Sequence, residues 1–380
     1  MKSEKYFTVA KTISRWKINT PFENWLARKA DNSILWKRLY VMYYHLFDSV
    51  YYQKGVILAQ KEIERQMPNA HLPEGEGKNL VLDMIYCLHR FGATFEDYFV
   101  YKFYFLNAEG RRQFNTLKMQ YGYCELVNGD GIRHIFEDKG ECYRLFKDYF
   151  KRDLVVVDSL DCYTQFKEFV IKHPSFIYKP LNGHSGIGIK IYRNIDIDDT
   201  NVLDYIMEQG DGKFVVEELI EQAEGMALLH KESINTIRLF TFTIKEDVYI
   251  IGAAMRMGTG SSNVDNAGSG GIYACVDPTE GIVISMARDN AGNQYLKHPD
   301  SLVVLPGFSI PEWEEAVIMT KKMAQTIKGA TVISWDLAYS HKGWLMVEGN
   351  DVGDQHLLQA PLQIGIKDKL ISLIDKYYQD

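Results

Sequence analysis

The chain has 380 residues, 46% hydrophobic and 24% charged, with a formal net charge of −7. Those proportions describe a globular chain with room for two or three structural units at roughly 150 residues each. The acidic balance argues against a general nucleic-acid binder, which would present a basic face. The five cysteines (Cys87, Cys124, Cys142, Cys162, Cys275) form no C-x-x-C pair. Free thiols in a reducing compartment are therefore expected, with neither a disulfide framework nor a zinc site. The first residues, MKSEKYFTVAKTISRWK, lack an apolar core segment, and no run approaches 18 apolar residues. A cytoplasmic protein with no secretory signal and no membrane span is expected.

Charge is distributed unevenly. Residues 1–65 hold 12 basic and 6 acidic side chains, a net of +6, which leaves −13 for the rest. This first stretch is also aromatic, and Leu35, Leu39, Met42, Leu46 and Val50 recur at helical spacing. The pattern predicts amphipathic helices broken near Asn19-Thr20-Pro21 and near Gly55. Such a basic, aromatic face suits either packing within its own domain or contact with the inner face of an anionic membrane.

Met67 to Lys78 is Pro-, Gly- and charge-rich and predicts a connector. Val81 to Leu88 fits a short helix or strand, Glu96 to Phe105 is aromatic and amphipathic, and Arg111 to Gln120 is helical in pattern. Asn128 to Gly131 is a turn signal, followed by a helix over Lys139 to Phe150 and a strand over Leu154 to Asp158. Beyond residue 160, β-branched and aromatic strands alternate with short turns. They are expected at 176–179, 187–192, 214–217, 236–244, 248–255, 272–276, 282–286, 332–337 and 344–348, with helices at 198–209 and 311–327. Runs of strands with few helices predict an α+β fold.

Three clusters carry chemistry. In the first, Phe176-Ile-Tyr-Lys179-Pro, a strand ends in Lys179 and runs into Leu181-Asn-Gly-His184-Ser185-Gly186-Ile-Gly188. Glycines let backbone N–H groups approach an anion, and Lys179 adds a point charge. The spacing fits neither a Walker A loop nor a dinucleotide fingerprint, so an anion-binding loop and an ordinary hairpin turn both fit. In the second, Phe214-Val-Val-Glu217-Glu218-Leu219-Ile220 runs into an acidic segment ending at Glu224. Such a segment can offer backbone groups to a purine and a carboxylate to ribose hydroxyls, but taken alone a charged surface loop accounts for it better. The third is Ser334-Trp-Asp336, then a His341-Lys-Gly turn, then Val347-Glu348-Gly-Asn350. Period two puts Glu348 and Asn350 on one face, and the hairpin brings Asp336 near it. Two carboxylates and an amide oxygen form a hard donor set suited to Mg2+. Between these clusters, Arg238 and Arg256 each interrupt an apolar strand, the pattern of an arginine that meets a buried carboxylate or an anionic ligand. The fourteen-residue loop from Gly258 to Gly271 is long enough to be functional or mobile.

In combination, the order of strand lysine, Gly/Ser loop, acidic hinge and C-terminal Asp…Glu-x-Asn resembles the ATP-grasp superfamily. SINTIRLFTF, AAMRMGTGSSNVDN, the HPD at His298 to Asp300, PEWEEA and VEGN bring it nearest to the sugar-transfer-associated ATP-grasp family, related to α-L-glutamate ligases. The resemblance covers about residues 90–365. It implies two α+β subdomains enclosing ATP, here with an N-terminal helical extension. The implied division is a basic helical region at 1–65, a pre-grasp region at 66–160, a lid subdomain at 161–225 and a C-terminal subdomain with the metal site at 226–380. It further implies that Lys139 and Lys179 contact ATP phosphates and that His184, Ser185 and Gly186 belong to the lid. Glu217 to Ile220, including Glu218 and Leu219, would hold adenine through backbone groups, and Glu224 has the spacing of a ribose-binding carboxylate. Asp336, Glu348 and Asn350 would be the Mg2+ ligands, with Arg238 and Arg256 at the acylphosphate and γ-phosphate. An arginine common just before the Asp is replaced here by Ser334-Trp335, which leaves open which arginine serves the intermediate. The implied activity is Mg2+-dependent ligation of a carboxylate to an amine in surface polysaccharide synthesis. Its partners would be a sugar acid, an amino acid or a lipid-linked saccharide, not nucleic acid. A kinase acting on a hydroxyl group and a non-catalytic nucleotide-binding protein are the alternatives.

Overall fold

Thr20 and Pro21 start the first helix. The Thr20 hydroxyl accepts from Glu23 N at 3.1 Å, and Pro21 supplies the fixed φ of the first turn. The computed structural model describes residues 20–47, 49–68, 73–129, 131–181, 188–196, 200–209 and 213–379. They form two compact units: Met1–Val127 with Ala291–Asn293 and Asp354–Asp380, and Asn128–Asn290 with Gln294–Gly353.

The first unit is helical. It contains α1 (Pro21–Ala30), α2 (Ile34–Phe47), α3 (Ser49–Gln66), α4 (Glu74–Phe91), α5 (Phe95–Val100), α6 (Ala108–Arg112) and α7 (Leu117–Val127). Two helices from the C-terminal part of the chain, labelled α14 (His356–Gln359) and α15 (Lys367–Gln379), belong to it as well. Tyrosines fill its core: Tyr40, Tyr86, Tyr98, Tyr101 and Tyr123 are all buried. Asp83 ties the helices together, accepting from Arg111 at 2.6 Å, Lys37 at 2.7 Å and Tyr98 at 2.8 Å. Three expectations change. Gly55 does not break a helix but lies inside α3, its cost of about 1 kcal/mol outweighed by tertiary packing. The connector is shorter than its composition suggested, because Pro73 opens α4 at Glu74. The helix expected over Arg111 to Gln120 is two helices, parted where Asn115 and Thr116 are buried and hydrogen-bonded to Gln355 and the Phe91 carbonyl.

The second unit holds two antiparallel sheets. The smaller has the order β1-β4-β2-β3, from β1 (Leu154–Val157), β2 (Phe176–Pro180), β3 (Lys190–Tyr192) and β4 (Phe214–Glu218). Phe166 and Phe169 of α10 (Tyr163–Lys172) and Leu203 and Ile206 of α11 (Thr200–Gln209) cover one of its faces.

The larger sheet has the order β11-β10-β5-β6-β7-β8-β9. Its strands are β5 (Thr236–Ile244), β6 (Asp247–Met257), β7 (Ile272–Val276), β8 (Ala287–Arg288), β9 (Gln294–Tyr295), β10 (Val332–Ser340) and β11 (Gly343–Asn350). The strand expected over 282–286 is replaced by single bridges at Ile282 and Val283. Helices α8 (Ile132–Glu137), α9 (Lys139–Phe150), α12 (Glu224–Ala227) and α13 (Trp313–Thr326) complete the unit. Ile237, Leu239, Met255, Trp335 and Leu337 pack with Phe146 of α9 and Met323 of α13 in one core. By the two-residue period, Thr236, Arg238, Ala254, Arg256 and Asp336 point to the opposite face.

Candidate active site

Cross-strand register assembles the centre of that polar face. Asp336 on β10 lies directly between Arg238 on β5 and Glu348 on β11. Residues directly opposite on antiparallel strands share a face, so the three side chains converge. Arg238 grips Asp336 with Nε–Oδ1 and Nη2–Oδ2 contacts of 2.6 Å each, and Arg256 Nη1 adds a third at 2.8 Å. Asp336 is 1% exposed. Burial would raise its pKa, but the two guanidinium groups outweigh it and hold the carboxyl down to about 2. The surrounding protein and the Asp336 carboxylate both push Glu348 above the ordinary range; with its side chain 54% exposed, the like charge carries that shift.

A β-bulge makes this arrangement. Leu337 pairs with Met346, yet Asp336 pairs with Glu348, so Val347 is an extra residue in β11. Without it, Glu348 and Asn350 would share the core face of Trp344 and Met346. Beyond the bulge, Gly349 takes the core side, where a Cβ would sit 2.5 Å from the Phe136 ring. Glu348 and Asn350 therefore turn to the polar face. Asn350 lies opposite Ser334, and its Nδ2 is buried without a hydrogen-bond partner among the described residues. The amide could equally place its oxygen there. Asp336, Glu348 and Asn350 thus fit a small, hard divalent cation by donor type and by this unsatisfied buried amide.

Arg256 extends the centre towards the glycine-rich loop. Its Nη2 lies 3.3 Å from Asp265 Oδ1, and Asp265 Oδ2 accepts from Thr236 N at 3.1 Å and from the Thr236 hydroxyl. The loop is pinned rather than loose. His298 Nε2 meets the Gly258 carbonyl at 2.9 Å, His230 Nε2 meets that of Gly260 at 2.9 Å, and Asp300 accepts from Gly260 N at 2.8 Å. A carbonyl only accepts, so both Nε2 atoms carry hydrogen. Burial holds His298 below the ordinary histidine range, in keeping with this neutral, structural role. At Gly258 a Cβ would lie 2.2 Å from Ser233 Oγ, so only glycine lets the loop leave β6 along this path.

A second cluster surrounds Glu217 on β4. This buried carboxylate takes Lys179 Nζ at 2.7 Å on one oxygen and Arg152 Nε and Nη2 at 3.0 and 2.7 Å on the other. Against burial, Lys179 and Arg152 bring its pKa down to about 2. Arg152 also donates to the Met346 carbonyl at 2.5 Å and the Val347 carbonyl at 3.3 Å, which joins the small sheet to the bulge of β11. Lys139, at the first turn of α9, reaches the carbonyls of Pro180 and Leu181 at 3.3 Å each. Burial and then the neighbouring Lys179 pull its pKa below the ordinary lysine value. Asp138 caps the same helix end, accepting from Gly140 N and Glu141 N at 2.9 Å.

The sequence-predicted residues therefore fall into groups. Asp336, Glu348, Asn350, Arg238 and Arg256 lie together on one face, and Lys139, Lys179 and Glu217 cluster at the end of the small sheet. Glu218 is engaged with Lys342 at 2.8 Å and Asp153 N at 3.0 Å, while Leu219 and Ile220 continue from β4 half-buried. Glu224 is exposed at the first turn of α12. His184, Ser185 and Gly186 lie outside the described residues. Nearby Gly188 (φ 78°) passes under Pro180, where a Cβ would be 2.9 Å from the ring. Sequence reasoning missed Arg152 and Asp265. No motif marks Arg152 within Lys151-Arg152-Asp153, but Asp265 stood in plain view as the one acidic residue of the glycine-rich loop.

Residues 118–374 match the family model described as sugar-transfer associated ATP-grasp. The chain belongs to this family. No curated protein matches it. Among solved structures, the sugar-transfer associated ATP-grasp chain is similar to the ATP-grasp ligase PsnB complexed with minimal precursor, at 12% identity and TM-score 0.41, covering 68% of each chain. It is also similar to D-alanine–D-alanine ligase from Helicobacter pylori, at 15% identity and TM-score 0.38, covering 63% of this chain and 60% of that one. The VanG D-Ala:D-Ser ligase from Enterococcus faecalis gives 12%, 0.43, 66% and 64% in the same terms. The chain spans less than two thirds of several such structures, including 48% of an N5-carboxyaminoimidazole ribonucleotide synthetase. Among the described residues, no helix of this ATP-grasp chain is long and apolar enough to cross a membrane.

Proposed function

We propose that the chain is an Mg2+-dependent ATP-grasp ligase that activates a carboxylate as an acylphosphate and joins it to an amine. The observation that carries this reading is the polar row Glu348–Asp336–Arg238 with Arg256 beside it, which sets cation ligands against two guanidinium groups on one sheet face. Asp336, Glu348 and Asn350 would hold Mg2+, which when bound neutralises charge on the phosphates. Lys179 and Lys139 meet phosphate oxygens from the small sheet and the start of α9. Adenine rests on backbone groups of Glu217 to Ile220, and Glu224 serves the ribose. The substrate carboxylate oxygen bonds to the γ-phosphorus as the bond to ADP breaks. The amine then bonds to the acyl carbon, phosphate leaves, and the nitrogen gives up a proton. Arg238 and Arg256, fixed by Asp336 and Asp265, oppose the negative charge that develops on the transferring groups.

The lid around His184 to Gly186 would exclude water from the acylphosphate. The family description supports a sugar-linked substrate, such as a sugar acid or an amino acid joined to a sugar in surface polysaccharide synthesis. The test is a panel of sugar acids and amino acids scored for ADP release, with mass spectrometry of the products. A condensed product with stoichiometric free phosphate supports ligation. A stable phosphorylated product would replace the ligase reading with a phosphotransferase, and absence of acceptor-dependent ADP release across the panel would count against both.

A further inference from the structure

Helices α1, α2 and α3 each bury one face within the helical unit and leave the other to solvent. Leu26, Ala30, Tyr40, Val41 and Ala59 point inward. On the outward side of α2, Leu35, Met42 and Leu46 recur at helical spacing with Arg38 between them, and α3 continues with Val50, Lys54, Ile57 and Lys61. Leu46 is 74% exposed and Val50 76%, on either side of the junction between the two helices. On α1, Phe22 and Trp25 are exposed and stacked at 5.9 Å, and Trp25 meets Trp36 edge-on at 5.3 Å. Beside this pair, an open depression of about 440 Å³ is lined by Pro21, Asn24, Arg28 and Arg90.

Charge follows the same surface. Glu23 is buried and Asp31 is paired with Arg90 and Arg112, whereas Arg28, Lys29, Arg38, Lys54 and Lys61 are exposed. Five cations, Arg28, Lys29, Arg38, Lys54 and Lys61, thus lie exposed on the helices that also expose large apolar side chains, against one exposed acid, Glu64, among the described residues of α1–α3. Exposed apolar side chains recurring at helical spacing beside cations are the pattern of a helix that lies at an interface. Aromatic rings beside cations suit the head-group level of a bilayer, where the ring bodies leave water and the charges meet phosphate.

We propose that the solvent face of α1–α3 docks on an anionic lipid surface. Leu46, Val50 and the Phe22–Trp25 pair enter the interfacial layer, and Arg28 and the exposed lysines meet lipid phosphates. The helices lie on the surface and do not cross it. This contact is independent of the nucleotide site and stands whatever reaction that site performs.

The test is sedimentation of the full chain with vesicles of phosphatidylcholine alone or with about one third phosphatidylglycerol, at low salt and at about 1 M salt, where screening extends only about 3 Å. Partition onto the anionic vesicles is expected to exceed that onto neutral ones at least tenfold at low salt and to collapse at high salt. The double variants Leu46→Gln/Val50→Gln and Lys29→Glu/Lys54→Glu change only exposed side chains. Circular dichroism should match the unaltered protein for both, while vesicle partition falls about tenfold in each. Equal binding to neutral vesicles, no binding to either kind, or binding that both variants leave unchanged would overturn the proposal. So would light scattering that shows a dimer which Leu46→Gln/Val50→Gln dissociates without altering vesicle binding, since the face would then belong to a second copy of the chain.

Discussion

Asp336 and Glu348 face each other directly across β10 and β11, yet their carboxyl groups are displaced in opposite directions. Asp336 is enclosed by two arginines and stays ionised. Glu348, 3.8 Å from Arg238 and beside a like charge, takes up a proton more readily. Under the proposed function, a divalent cation held by the pair would draw both to the ionised state.

Glu348→Gln should abolish ATP turnover, by at least about 100-fold given the loss of a charged metal ligand, with little change in melting temperature because the side chain is half exposed. Asp336→Asn should lose turnover and stability together. It removes the nearest counter-charge of two buried guanidinium groups, which keep only the longer contacts to Asp265 and Glu348, a loss of about 3 kcal/mol. Melting curves with and without Mg2+-ATP separate the two variants. Wild-type turnover in Glu348→Gln would remove this residue from the metal site.

Lys179→Ala should weaken nucleotide affinity about tenfold or more, as expected for a buried, charge-assisted contact. Lys190→Ala, at an exposed position on β3, should change it less than twofold. Arg152→Ala should weaken binding indirectly, because Glu217 would then draw Lys179 without competition and the link to the Met346 carbonyl would be lost. Isothermal calorimetry orders the three, and equal affinity in wild type and Lys179→Ala would refute the phosphate assignment.

Glu217 sets an acid limit. Its folded pKa, about 2, is depressed from 4.5, so it contributes stability above pH 4.5 that is lost as pH falls towards 2. The full contribution is about 3 kcal/mol by the size of that shift. In Glu217→Gln, which also strands Lys179 and Arg152, the acid-dependent slope between pH 4.5 and 2 should flatten even though overall stability is lower. Urea midpoints across that range give the comparison.

His356 acts at the alkaline side. Burial opposes its charge, but Asp354 at 3.2 Å and Asp97 at 2.5 Å raise its pKa to about 9 from 6.5. Its stabilising effect is therefore complete below pH 6.5 and lost as pH rises through 9. Asp97 also forms the capping box with Thr94 at the start of α5, so the ion pair holds α14 to that helix end. His356→Gln should lower the melting temperature most at pH 6 and scarcely at pH 10. A difference independent of pH would show that His356 acts by packing alone.

Local signals in the sequence determined a great deal. The periods and turns placed α9, β5 and β7 at their observed bounds; the combination of Lys179, the acidic hinge and the Asp…Glu-x-Asn hairpin pointed to the superfamily, and SINTIRLFTF, AAMRMGTGSSNVDN and VEGN to the family that the family model confirms. Residue type alone left Arg238 and Arg256 to meet either a buried carboxylate or an anionic ligand, and in the fold both meet a buried carboxylate. Only the tertiary structure showed which one, because register across three strands depends on pairings nearly one hundred residues apart. It also decided the face of Glu348. Strict alternation from Trp344 would bury Glu348 in the core, and the bulge at Val347 reverses it. The bulge is an extra residue in the pairing of β11 with β10, and nothing in the sequence around Val347 marks it. The partners of Glu217 were hidden for the same reason: Arg152 and Lys179 come from separate segments, and a buried carboxylate's need for counter-charge names no particular cation until the chain is folded.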